Sequence, residues 1–447
     1  MTQTKKYADI DINDSLIEQA LNYIDNRWES FERYEPDDQG TLIGLPYPYI
    51  VPSVKSGSGF MFNEMYYWDS YFIAQALMLS GKVELADAML GNLLYLAKRF
   101  GIIPNANRLY FTGRSQPPLL SSYILDVFEH TKDSIWLKES MQIAEKEYET
   151  VWTSYEQPNW RNVFNGLSRY YDINLIDGLA EAESGWDMTT RFKDQCLSYV
   201  PIDLNCLLYK YEMDFAKVAE LQEDNRAANI WQKRASERAQ NINRYLWDPE
   251  KLFFFDYNYK QEKLSTVWSL AAYYSLWSGL ASAEQASHLA SHLSKFMETG
   301  GLATTTKKGI ITKSEHNHQW AYPNGWAPLH WFTVKGLEKY GYHELAETIA
   351  KKWLETNYKY FERHGVFREA YKVTDPNEPP DEGLYPPQIG FGWTNAVFVD
   401  FAINYTSIGK KWQEQLIGEP LFLKRFATNL KKILTDRKLK IPYNLDK

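Results

Sequence analysis

Residues 15–34 read Ser15-Leu-Ile-Glu-Gln-Ala-Leu-Asn-Tyr-Ile-Asp-Asn-Arg-Trp-Glu-Ser-Phe-Glu-Arg-Tyr34. Leu16, Ile17, Leu21, Ile24 and Trp28 recur at three- and four-residue intervals, which puts them on one face of a helix. Asp14 precedes them as a candidate N-cap. The same spacing returns along the chain and strict alternation is scarce, so the sequence predicts an all-α protein. Helices are expected at 68–80, 83–100, 117–130, 133–155, 202–221, 224–246, 266–276, 282–297, 326–340, 343–358, 395–405 and 409–435. That is about twelve helices in antiparallel pairs, without the residue-level repeat of a solenoid. A double ring of inner and outer helices accounts for pairs of this kind. It also suits 447 residues, more than most single cores of ~250–300 residues reach. The expected division is a catalytic ring over 1–409, including the N-terminal helix, and a helical tail over 410–447.

Four long loops interrupt the pattern, at 108–116, 167–193, 300–328 and 367–393; long loops on a rigid scaffold usually carry function. They and the start of the second helix hold unusual mixtures of carboxylates, tryptophans and amides: Glu64-Met-Tyr-Tyr-Trp68-Asp69-Ser-Tyr71, Glu183-Ser-Gly-Trp186-Asp187, Gln319-Trp320-Ala-Tyr-Pro-Asn324-Gly-Trp326-Ala-Pro328 and Gly390-Phe-Gly-Trp393-Thr-Asn395. A single Trp-Asp pair is usually a cap beside a core ring. Several such stretches on one face of a ring suggest a site.

Aromatic residues make up 16% of the chain, with 16 Trp and 32 Tyr, more than a helical core needs. Such rings can stack on the C–H faces of sugars. Net charge is −8, which argues against nucleic acid and anionic membrane surfaces as partners. Residues 1–14 have no signal-peptide character and no run reaches the ~18 apolar residues of a membrane span, so a cytoplasmic protein is expected. Cys196 and Cys206 lack histidines at metal-ligand spacing and read as buried thiols.

Glycoside hydrolysis needs a protonated carboxyl for the departing oxygen and a carboxylate that attacks or activates water. Asp187, beside Trp186, sits where desolvation would keep a carboxyl protonated. Glu369, in Phe367-Arg368-Glu369-Ala-Tyr371, is the second candidate, with Arg368 expected to favour its ionised form. Without further information a surface salt bridge would be the better explanation of Glu369.

These stretches resemble the trehalase family of glycoside hydrolases, family 37. Its signatures run Pro-Gly-Gly-Arg-Phe-x-Glu-x-Tyr-x-Trp-Asp-x-Tyr, matched over 62–71, and Gln-Trp-Asp-x-Pro-x-Gly-Trp-Ala-Pro, matched over 319–328. Family-like pieces at 101–105, 114–118, 182–187, 201–205, 254–257 and 390–395 follow in family order. The resemblance implies an (α/α)6 toroid and an inverting hydrolase of an α-glucoside, trehalose leading, with no metal or cofactor required. Hydrolysis of another α-glucoside such as glucosylglycerate, or sugar binding without catalysis, are the alternatives. By resemblance Asp187 is the general acid and Glu369 the general base, while Phe62, Trp68, Asp69, Asn105, Arg114, Gln319, Trp320 and Trp393 line the sugar site. Three polar family positions hold Met61, Ala321 and Leu384, and the family's Arg-Pro-Glu-Ser-Tyr stretch has no counterpart, so a more apolar leaving-group side is expected.

Overall fold

A computed structural model describes residues 10–54, 62–154, 159–309, 318–381, 383, 385 and 387–418. Among them the first helix, α1 (Asp14–Phe31), buries Ile17, Leu21, Ile24 and Trp28 as their spacing requires. Its cap lies one residue earlier than the sequence suggests: Asn13 Oδ1 accepts from Leu16 N at 3.1 Å, and Asp14 occupies the first turn. There its charge still meets the positive end of the helix dipole.

The chain continues through α2 (Tyr67–Leu79), α3 (Val83–Phe100), α4 (Leu120–Thr131), α5 (Ser134–Glu147), α6 (Asp177–Glu183), α7 (Ile202–Leu221), α8 (Asn225–Tyr245), α9 (Tyr274–Ser278), α10 (Ala283–His292), α11 (Ala327–Lys339), α12 (His343–His364), α13 (Gly392–Tyr405) and α14 (Ser407–Gly418). Three differences from the sequence reading have local causes. Helix α4 starts at Leu120 rather than Pro117, because consecutive prolines hold the residues before them extended. The helix expected at 266–276 shrinks to a 3-10 turn over Leu270–Tyr273 and the short α9, since Ser269 is drawn into an antiparallel bridge with Thr305. Helix α6 lies inside the segment read as a loop at 167–193; seven residues are too few for a periodic signal.

Helix α2 packs on α13, α13 on α11, α11 on α9, α9 on α7 and α7 on α4. The circle closes where the Tyr67 hydroxyl of α2 accepts from Leu119 N and Leu120 N, at 3.2 and 3.0 Å. The chain therefore forms the (α/α)6 toroid. Inner helices such as α2 and α13 are buried around nearly their whole circumference, as helices apolar on all sides must be. Outer helices are amphipathic: α8 buries Ala228, Trp231, Ala235, Arg238 and Ile242 on one stripe. Helix α14 continues across the expected division at 409/410. It docks on α1 and α2, with Trp412 Nε1 donating to Asn22 Oδ1 and Gln413 Nε2 to Leu79 O, both at 2.9 Å. Residues 419–447 of the expected tail lie outside the described residues.

Strands of two or three residues decorate the loops. One pairing matters for the site. Residues Asn324–Trp326 run antiparallel to Ala370–Lys372, joining two loops distant in sequence. Cys196 and Cys206 are buried free thiols. No described helix is long and apolar enough to cross a membrane.

Candidate active site

Asp187 follows a tightly determined turn. Gly185 has φ +72°, and a Cβ there would stand 2.6 Å from the Trp68 ring, so the position admits only glycine. Met188 also takes a positive φ of 58°, a cost tolerated where surrounding contacts fix the backbone. Those contacts are strong. Arg191, fully buried, binds Asp203 through Nη1 and Nη2 (2.9 and 2.7 Å) and Asp256 through Nε and Nη2 (3.1 and 2.8 Å). Its guanidinium lies 4.2 Å over the Trp186 ring. Glu181 accepts from Thr189 N, and burial pushes its carboxyl up to about 8. Glu183 holds three segments together, accepting from Ser115 N at 2.7 Å, Tyr171 N at 2.7 Å and the Arg161 guanidinium. The family-like pieces at 201–205 and 254–257 thus supply Asp203 and Asp256 as scaffold for the Asp187 loop.

Glu369 lies just before the strand Ala370–Lys372. Its carbonyl accepts from Trp393 Nε1 at 3.0 Å and Thr394 Oγ1 at 3.2 Å, both in the first turn of α13, and its amide donates to Gln388 O at 2.9 Å. The carboxyl is 1% exposed and accepts one donor on each oxygen: Tyr385 Oη on Oε1 at 2.8 Å and Gln388 N on Oε2 at 3.1 Å. Arg368 does not support Glu369 as the sequence suggests. Neighbouring side chains in extended backbone point to opposite sides, and Arg368 turns outward over the Tyr360 ring, donating to Glu378 O at 3.0 Å.

Glu369 feels the charge of Asp187, and Asp69 of α2 feels both. Burial raises Asp187 to about 6, with Arg114 pulling the other way. Burial raises Glu369 to about 7 against the pull of Gln388 N and Tyr385, and the charge of Asp187 adds to the rise. Burial lifts Asp69 well above the usual range, and Glu369 lifts it further. Three carboxyls in one dry place cannot all ionise cheaply. Among the described residues no donor reaches the Asp187 carboxyl, whereas Glu369 has two, and those donors favour charge on Glu369; burial acts the other way and leaves Glu369, at about 7, above Asp187, at about 6.

Other predicted site residues gather around this trio. Trp68, Trp320 and Trp393 pack within 5.9 Å of one another by ring centroids, and Trp320 stacks on Trp326 at 3.9 Å. Trp68 and Trp320 are each 1% exposed, so they form a rigid dry floor rather than the open stacking faces the sequence suggested. Phe62 stands edge-on to Tyr66, Tyr385 and Phe391. Arg114 donates to Asp172 Oδ2 at 3.2 Å, and its Nε has no partner among the described residues. The same holds for Gln319 Nε2. Asn105 spends its amide N–H groups on Ser115 O and Ala182 O, at 3.2 and 3.4 Å. Ala321 is buried; Met61 and Leu384 lie outside the described residues. Tyr385 and Asp172 were missed by sequence reasoning. Tyr385 lies in the loop carrying Glu369, and that shared loop was the available signal. No group of three or more His, Cys, Asp or Glu among the described residues is placed to hold a metal ion.

The trehalase family model matches residues 1–178 and 175–406. The chain belongs to the trehalase family. It is 32% identical to a cytosolic neutral trehalase of Kluyveromyces lactis, over 80% of this chain and 56% of the relative, so it spans little more than half of that protein's length. Among solved structures, neutral trehalase Nth1 from Saccharomyces cerevisiae superposes with TM-score 0.72 and 29% identity, covering 92% of this chain and 83% of that one. A GH63 mannosylglycerate hydrolase from Thermus thermophilus, solved in complex with glucose, shares the fold with TM-score 0.60 at 17% identity, over 86% of this chain and 99% of that one.

Proposed function

We propose that this trehalase-family chain hydrolyses trehalose with inversion, in the cytoplasm, using Asp187 as general acid and Glu369 as general base. The observation that carries the reading is the unequal treatment of two coupled carboxyls held by separate loops: Glu369 accepts two hydrogen bonds and Asp187 none from the described residues. In this reading Glu369 takes a proton from water as its oxygen attacks the anomeric carbon. The C–O bond on the opposite side breaks, and Asp187 gives its proton to the departing oxygen. Exchange with solvent restores both groups. Asp69, Asn105, Arg114 and Gln319 offer polar atoms for glucose hydroxyls, over the floor of Trp68, Trp320 and Trp393. The names of the relatives, both neutral trehalases, support trehalose as substrate.

The test is substitution of each acid. Asp187→Asn and Glu369→Gln should each lower kcat on trehalose by ~10²–10⁴-fold with sugar binding retained, since each acts on the transition state. Calorimetric titration with glucose and steady-state kinetics read the two quantities. Full activity in either variant removes that residue from its role.

A further inference from the structure

We propose that Tyr385 is the positioning residue of the base: its hydroxyl, donating to Glu369 Oε1, aims the carboxylate at the attacking water and supports its negative charge. The inference rests on the reading of Glu369 as base. Its geometry is independent of that reading.

Two donors on different oxygens fix the plane of a carboxylate, which one donor cannot do. For Glu369 these are Gln388 N at 3.1 Å, a backbone group, and Tyr385 Oη at 2.8 Å, a side-chain group that substitution can remove. Packing sets where the hydroxyl points. The Tyr385 ring stands edge-on to Phe62 at 5.9 Å, and Phe62 is held in turn by Tyr66 at 5.5 Å and Phe391 at 5.9 Å.

Among the described residues the groups facing this position are negative or neutral. Asp69 faces it from α2, Tyr66 from the turn before α2, and Asp187 from the loop after α6. Arg114 acts on Asp187, and Arg368 points away. With no cation opposite Glu369 among the described residues, charge on the base depends on neutral donors, so removing one has an outsized effect in a dry site. A tyrosine also suits a base better than an arginine would. It supports the carboxylate without neutralising it, leaving Glu369 able to take a proton from water.

The experiment is the pH profile of kcat/KM on trehalose for the whole chain. Tyr385→Phe should move the acidic limb up by about one pH unit and lower the plateau kcat by about tenfold, with KM and the melting temperature nearly unchanged. Replacing Tyr385 by 3-fluorotyrosine, which keeps the shape and makes the hydroxyl a stronger donor, should move the limb down, and it serves equally should the phenylalanine variant not fold. An acidic limb unmoved in these proteins overturns the proposal, as does a Tyr385→Phe variant in which KM rises and melting temperature falls while the limb stays in place. Glu369→Gln separates the two claims. If it keeps wild-type turnover, the base assignment itself has failed; if it is inactive while the Tyr385 proteins keep the wild-type limb, only the role of Tyr385 has failed.

Discussion

Glu369 is held against its own preference for water. Its ordinary carboxyl value of 4.5 rises to about 7, chiefly by burial. The folded protein therefore binds this proton more tightly than the unfolded chain does. The resulting relative stability is complete below about 4.5 and is lost as pH rises through about 7. Glu369→Gln removes the charge and with it the loss, so the variant should gain stability relative to wild type as pH is raised from 4.5 to 8, by up to ~3 kcal/mol from a shift of this size. Urea unfolding at several pH values checks this; a difference independent of pH would contradict it. At this scale the sequence was only partly legible. Asp187 announced itself through Trp186 beside it. Glu369 looked like any surface glutamate until the family resemblance singled it out, because its burial comes from pairing with residues near Asn324 and from α13, neither visible locally. Arg368 was misjudged for the same reason, since adjacency in extended chain means opposite sides.

Loops do the positioning, and at the scale of elements the important finding is how heavily they are tied. Arg191 alone joins the Asp187 loop to the start of α7 and to the strand region near Asp256. Removing it leaves two buried carboxylates facing each other without their cation. Arg191→Met should therefore cost about 3–5 kcal/mol in denaturant unfolding, and it should lower kcat through displacement of Trp186. A cost below ~1 kcal/mol would mean the pair of aspartates finds another partner. The sequence displayed these ties only as family-like fragments at 201–205 and 254–257, with no indication that their aspartates meet one arginine. Helix boundaries were clearer. The periods of α1, α3 and α8 stood out because each buries one long stripe, whereas α6 and α9 are shorter than two turns and carry too few positions to show a period.

Closing six inner helices into a ring buries α2, α7, α11 and α13 on most sides and leaves one end of the toroid to the long loops. That organisation was readable from helical pairs without a repeat and from long loops between them. The convergence of Asp187, Glu369 and Asp69 was not, because it depends on which helices become neighbours around the ring. The whole molecule's central claim is that these groups carry out a single displacement on the face opposite the leaving group. Trehalose tests this directly, since only the attacked glucose changes its anomeric form while the departing one leaves as α-glucose. The decisive measurement is a proton NMR time course of trehalose hydrolysis, with the anomeric signals read before mutarotation. Inversion predicts α- and β-glucose appearing in equal amounts from the earliest points, and α-glucose alone would contradict the account.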